Sequence, residues 1–112
     1  MTTRIEKPWG YEDILVQTDK FVVKQIYIES GQSLSLQYHV VKSEMIYVLQ
    51  GACAVFFNDQ WATSVEGGYL YIPATEVHRF EAAGAKPTLL LEVSTPELDD
   101  VVRLNDKYGR VK

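Results

Sequence analysis

At 112 residues, the chain falls in the range of about 100 to 150 residues typical of one independent domain, so a single domain over residues 1–112 is expected and a multidomain enzyme is excluded. Apolar residues at 46% and charged residues at 23% are ordinary globular values, which excludes a disordered or fibrous chain. The net charge of −4 argues against a general nucleic-acid surface, and no apolar run approaches the ~18 residues of a membrane span, so the expectation is a soluble cytoplasmic protein that binds neither nucleic acid nor membrane.

Short runs rich in Tyr, Phe, Val and Ile predict strands at 11–16, 21–28, 34–39, 45–49, 52–57, 62–65, 69–72, 77–82 and 88–93. Turn residues separate them, among them Gly31, Gln50-Gly51, Asn58-Asp59, Gly67-Gly68, Pro73 and Gly84. Such spacing predicts an all-β sandwich, jelly roll or small barrel. The segment 96–104 is the one candidate helix, with Thr95 as its cap ahead of Pro96. Cys53, the single cysteine, stands among Ala52, Ala54 and Val55 and is expected to be buried, with no disulfide. Trp9 and Trp61 read as packing residues, and Tyr38, Tyr47, Tyr69 and Tyr71 as barrel or interface aromatics.

Alternation inside the strand at 34–39 sets Ser35, Gln37 and His39 on one face and Leu34, Leu36 and Tyr38 on the other. His39 and His78 are the only histidines. Gln37 and His39, two apart on a strand, present an amide oxygen and an imidazole to one side; a turn brings back Glu44, and His78 completes the set from a third strand. This donor set suits a divalent metal with positions left open, Zn first, with Mn, Fe, Co or Ni as alternatives.

The run from Gly31 through Gln37-Tyr38-His39 and Glu44 to Gly51, with six residues between Glu44 and Gly51, resembles the first motif of the cupin superfamily; Gly68, Pro73 and His78 match its second. Gln37 replaces the first histidine, as in phosphomannose isomerases. Lys7-Pro8-Trp9-Gly10, the stretch from Ser33 to His39, Tyr71-Ile72-Pro73, and the tail Asp99-Asp100-Val101-Val102-Arg103 with Asp106-Lys107-Tyr108-Gly109-Arg110 resemble the cupin domain of type II mannose-6-phosphate isomerases. The resemblance implies a cupin-type jelly-roll β-barrel with a short C-terminal tail or helix, here without the nucleotidyltransferase to which that domain is usually fused. Lys42 stands where the family favours arginine, which keeps the charge but loses the planar fork.

The implied chemistry is aldose to ketose isomerisation of a hexose 6-phosphate through an enediol, with mannose 6-phosphate and fructose 6-phosphate as the favoured pair. Gln37, His39, Glu44 and His78 are expected as metal ligands, Glu44, Lys42 and Arg103 as catalytic residues, and Lys42, Arg103, Arg110 and Ser35 as substrate contacts. Arg79 is a further phosphate candidate, although it follows His78 directly and points to the opposite face of a regular strand. Candidates for the general base are Glu92, Asp106, a tyrosine or metal-bound hydroxide. A homodimer is implied, built through the aromatic and β-branched segment 4–16. The competing readings are a non-catalytic cupin that binds a sugar or nucleotide sugar, an Fe-dependent dioxygenase, disfavoured by the paucity of imidazoles, and a metal-free sugar-nucleotide epimerase, which leaves the Gln-His-Glu-His grouping unexplained.

Overall fold

The computed structural model describes residues 3–111. Among them run the strands β1 (Thr3–Lys7), β2 (Gly10–Gln17), β3 (Val22–Ile28), β4 (Leu36–Tyr38), β5 (Glu44–Gln50), β6 (Ala52–Phe57), β7 (Gln60–Ser64), β8 (Tyr69–Ile72), β9 (His78–Ala83), β10 (Thr88–Ser94) and β11 (Val102–Asn105). They form a six-stranded sheet in the order β1-β2-β3-β10-β5-β8 and a five-stranded sheet in the order β11-β4-β9-β6-β7, all pairs antiparallel. The all-β jelly-roll expectation is met.

Period-2 alternation explains how these sheets enclose a core. In β3 the inward residues are Val22, Lys24, Ile26 and Ile28, all buried, and in β10 they are Thr88, Leu90, Glu92 and Ser94. β5 adds Glu44, Ile46 and Val48 to the same interior. One end of the interior is apolar, filled by Ile26, Ile28, Val48, Cys53, Val55, Phe80 and Leu90 with Trp9 packed among them. Two residues further along each strand the same inward face turns charged, at Lys24, Glu92 and Glu44. The functional candidates occupy this polar end.

Local chemistry sets the boundaries. The β6–β7 hairpin turns on Asn58 (φ 54°) and Asp59 (φ 60°), the left-handed pair that matches strand twist. Gly10 starts β2 at φ 153°, where a Cβ would meet the Tyr27 carbonyl oxygen at 1.9 Å, so β2 lies against β3 only because this residue has no side chain. Cys53 is fully buried, as expected, and burial pushes its thiol up to about 12.

The C-terminal expectation needs correction. No helix forms over 96–104; instead 102–105 is β11, paired with β4 through Val102↔Tyr38 and Arg103↔Gln37. The Thr95 hydroxyl does not cap a helix but accepts the Ser43 N–H and donates to Glu97. A strand partner some sixty residues away outcompetes a weak local helical pattern. β1 was not among the expected strands and forms a hairpin with β2, leaving β1 as a sheet edge. The strand expected over 34–39 is regular only at Leu36–Tyr38, with Ser33 in an isolated bridge to Glu81. Trp61 is not a core residue: it is 53% exposed on the edge strand β7, tilted against Phe56.

Candidate metal centre and its cavity

Register places the site. Arg103 on β11, Gln37 on β4 and His78 on β9 are direct cross-strand partners, so their side chains form one row on the inward face of the five-stranded sheet. His39 follows two residues after Gln37, and Glu44 begins β5 in the opposite sheet, its partners being Ser94 and Ile72. The two sheets thereby bring His39, Glu44 and His78 together with one ligand atom of each within 4.8 Å of the others, all three buried. His39 Nε2 lies 2.9 Å and His78 Nε2 3.1 Å from the same carboxylate oxygen, Glu44 Oε1.

The outer nitrogens decide what the inner ones can do. His39 Nδ1 is 2.6 Å from the Asp100 carbonyl and His78 Nδ1 is 2.9 Å from the Glu76 carbonyl. A carbonyl only accepts, so each Nδ1 carries a proton, and it is the Nε2 atom of each ring that faces inward, as a lone-pair donor in the neutral tautomer. Burial opposes charge on Glu44, but the neighbouring Glu92, His39 and His78 and the charge of Lys42 outweigh it and hold its carboxyl well below the usual range. Three lone-pair donors thus converge on one point. His78 Nε2 is fully buried and has no hydrogen-bond partner. A divalent cation fits this arrangement: it satisfies two imidazole nitrogens and a carboxylate oxygen at once, with both rings oriented through their far nitrogens. Gln37 stands beside this group, its Oε1 accepting the Ser35 hydroxyl at 2.6 Å; the carbonyl keeps a second lone pair.

A cavity opens on these residues, lined by Gln37, His39, Glu44, Lys42, Glu92 and Arg103, with Lys7, Glu12, Lys24 and Arg110 also at its wall. Lys42 is buried, with Nζ 3.3 Å from Glu92 Oε1. Burial disfavours its charge, but Glu92 and Glu44 more than compensate, and its pKa is raised. Glu92 is pushed up, first by burial and then by the neighbouring Glu44, so it tends to hold a proton. Arg103 Nε is buried and has no hydrogen-bond partner. Arg110 also reaches the wall, but Asp106 grips its guanidinium at 2.8 and 3.0 Å. Ser35 is fully buried behind Gln37 and reaches the cavity only through that amide. Arg79 lies on the outer face, donating to the Leu34 and Asn105 carbonyls. Asp106, a candidate base, is tied to Arg110, and Tyr47, Tyr69 and Tyr71 are exposed outside the barrel.

Asp100 was part of the recognised tail, yet its role is visible only in three dimensions. Its carboxylate accepts the N–H groups of Val40, Val41 and Lys42 at 3.0, 2.7 and 2.8 Å, while its carbonyl holds His39. One residue therefore docks the C-terminal segment onto the loop that carries a metal-ligand candidate. The wall residues Lys7, Glu12 and Lys24 were not expected at the site. The available signal was parity: Lys24 alternates with Val22 and Ile26 on a face that is otherwise apolar.

A family model described as mannose-6-phosphate isomerase C-terminal matches residues 1–106. Among curated proteins, the mannose-1-phosphate guanylyltransferase ManC of Salmonella typhimurium is 36% identical over 99% of the chain, and the alginate biosynthesis protein AlgA of Pseudomonas aeruginosa 35% over 95%. The chain spans only 24% and 23% of their lengths. Among solved structures, KdgF from Halomonas superimposes with a TM-score of 0.79 at 18% identity, covering 87% of this chain and 88% of that one, which supports the fold alone. A cupin-superfamily sugar phosphate isomerase from Silicibacter pomeroyi gives a TM-score of 0.70 at 25% identity, covering 76% of this chain and 58% of that one.

Proposed function

The chain belongs to the mannose-6-phosphate isomerase C-terminal family, and from that premise we propose that it is a metal-dependent sugar-phosphate isomerase interconverting mannose 6-phosphate and fructose 6-phosphate. One observation carries the proposal: His39 and Glu44 of a buried His-Glu-His group line the same cavity as an arginine whose Nε has no partner. The first suits a carbonyl end and the second a phosphate end of one small ligand.

His39, Glu44 and His78, with Gln37 completing the set, would hold the cation. A divalent ion there, Zn first among the candidates, supplies Lewis-acid stabilisation of the oxygen that becomes negative when the neighbouring carbon loses its proton. Arg103 anchors the phosphate by charge-assisted hydrogen bonds, and Arg110 lends a partly neutralised second charge. Glu92 is the proton carrier this reading selects. It is buried against Lys42, and its raised pKa suits exchange near neutral pH between adjacent carbons. Lys42 offsets the charge Glu92 acquires when it gives up its proton. Ser35 acts through Gln37, orienting the amide.

Interconversion of hexose phosphates measured with and without chelator tests the reading. Chelator-sensitive turnover of mannose 6-phosphate is expected, and no turnover on any aldose or ketose phosphate would sink it. The commitment of Lys42 to Glu92 and Arg110 to Asp106 favours one alternative, a cupin that binds a sugar phosphate without turning it over; ligand-induced thermal shifts without turnover would establish that instead. A cytoplasmic homodimer completes the proposal. It is supported by the unpaired edge of β1 and the exposed tyrosines 47, 69 and 71 on β5 and β8, and light scattering would measure the mass.

A further inference from the structure

Glu12 and Lys24 form an ion pair inside the barrel, apart from the His-Glu-His group. Glu12 is opposite Ile26 and Lys24 opposite Ile14, so the two are diagonal neighbours on the inward face of β2 and β3. Lys24 Nζ donates to Glu12 Oε1 at 3.0 Å, and the side chains are only 8% and 13% exposed. Removing two charges from water costs several kcal/mol per ion, and apolar replacements of such pairs are often neutral or stabilising. Stability therefore gives little reason for this pair.

Position gives a better one. Both residues line the cavity that holds His39, Glu44 and Arg103. Their mutual hydrogen bond engages one of two carboxylate oxygens and one of three ammonium protons, so acceptor and donor capacity remain side by side at the wall. A hydroxyl both donates and accepts, and two neighbouring hydroxyls match a carboxylate next to an ammonium. We propose that Glu12 and Lys24 are the polyol-binding wall of the cavity, gripping the hydroxyls of a sugar-phosphate chain between its metal-bound and phosphate ends. The inference rests on the sugar-phosphate reading above and adds to it the residues that discriminate the sugar's hydroxyls.

The test is calorimetric titration of the full chain with a hexitol 6-phosphate, which has the polyol and phosphate but no carbonyl to react, and separately with inorganic phosphate. The variants are Glu12→Gln, Lys24→Met and the double variant Glu12→Leu with Lys24→Met. The double variant exchanges the pair for apolar groups and is expected to melt at or above the wild-type temperature; Glu12→Gln, which keeps shape and hydrogen bonding, covers the case in which the double variant does not fold. In the wild type the hexitol phosphate should bind more tightly than phosphate. In the variants its affinity should fall about tenfold or more, the usual weight of a hydrogen bond to a charged group, while phosphate affinity is unchanged. Variants that bind the hexitol phosphate like wild type would overturn the inference and leave the sugar-phosphate reading standing. Equal losses for both probes would overturn it too, by showing that the pair only supports the cavity. A wild type that binds no hexitol phosphate would remove both readings.

Discussion

Two imidazole nitrogens and one carboxylate oxygen converge at the polar end of the barrel interior, each imidazole turning its Nδ1 proton outward, and this single feature makes metal removal the most informative perturbation. Saturating a native-state site at about a hundred times its Kd stabilises a fold by about 2.7 kcal/mol, so chelation should lower the melting temperature of the wild type by several degrees. Glu44→Gln weakens the shared oxygen donor, and in that variant the chelator shift should vanish together with the metal found by elemental analysis; an undiminished shift would place the metal elsewhere. At the opposite extreme of reactivity is Cys53. With its thiol fully buried and raised to about 12, it should resist an alkylating reagent at pH 8 in the native protein and react at once in denaturant. The identity of the metal-ligand candidates was legible from spacing, because Gln37, His39, Glu44 and His78 stand at fixed motif offsets, on strands or, for His39, directly after one. The different standing of Arg103 and Arg110 was not: both belong to one short tail, and only the distances show that Asp106 holds the second.

At the scale of elements, two contacts connect distant parts of the chain to the site. The β2–β3 contact depends on Gly10, where any Cβ would collide with the Tyr27 carbonyl, whereas a Cβ on Gly31 meets nothing within 4 Å. Both have positive φ, so Gly10→Ala should cost clearly more stability than Gly31→Ala, several kcal/mol against about 1, as measured by urea denaturation. The other contact is Asp100. Removing its carboxylate by Asp100→Ala frees three N–H groups of the 40–42 loop and loosens the carbonyl that orients His39. Metal affinity should fall by about tenfold or more, as for other lost supports of a ligand, while Asp99→Ala, at an exposed neighbour, should leave it unchanged. Strand positions could be anticipated because alternation and turn residues are local signals. The replacement of an expected helix by β11 could not, because its hydrogen-bond partner is β4, far back in the chain.

For the whole molecule, charge sets two limbs of a stability profile. Asp100 is held below its ordinary value of 3.8 by the N–H groups of Lys42, Val40 and Val41, and Asp106 by hydrogen bonds from Arg110. A depressed carboxyl stabilises the fold above its unfolded pKa, and that contribution is lost as pH falls below about 4. Glu92 has the opposite sign. Its pKa is raised from 4.5 to about 8, so the native state binds more protons than the unfolded chain between these values, and metal-free stability should decline as pH rises through that window. Urea midpoints of metal-free protein from pH 3 to pH 9 should therefore pass through a maximum near pH 5, and Glu92→Gln should flatten the alkaline limb alone.

Taken alone, the amino-acid sequence determined the all-β class, the jelly-roll expectation and the identity of the metal-ligand candidates, because alternation, turn chemistry and motif spacing act over a few residues. The tertiary structure decided which charges pair with one another and which keep an unpartnered atom: Lys42 pairs with Glu92, Arg110 with Asp106 and Lys24 with Glu12, while Arg103 Nε has no partner. Compensation of charge depends on distance through space, and the barrel sets those distances by pairing strands that lie far apart along the chain.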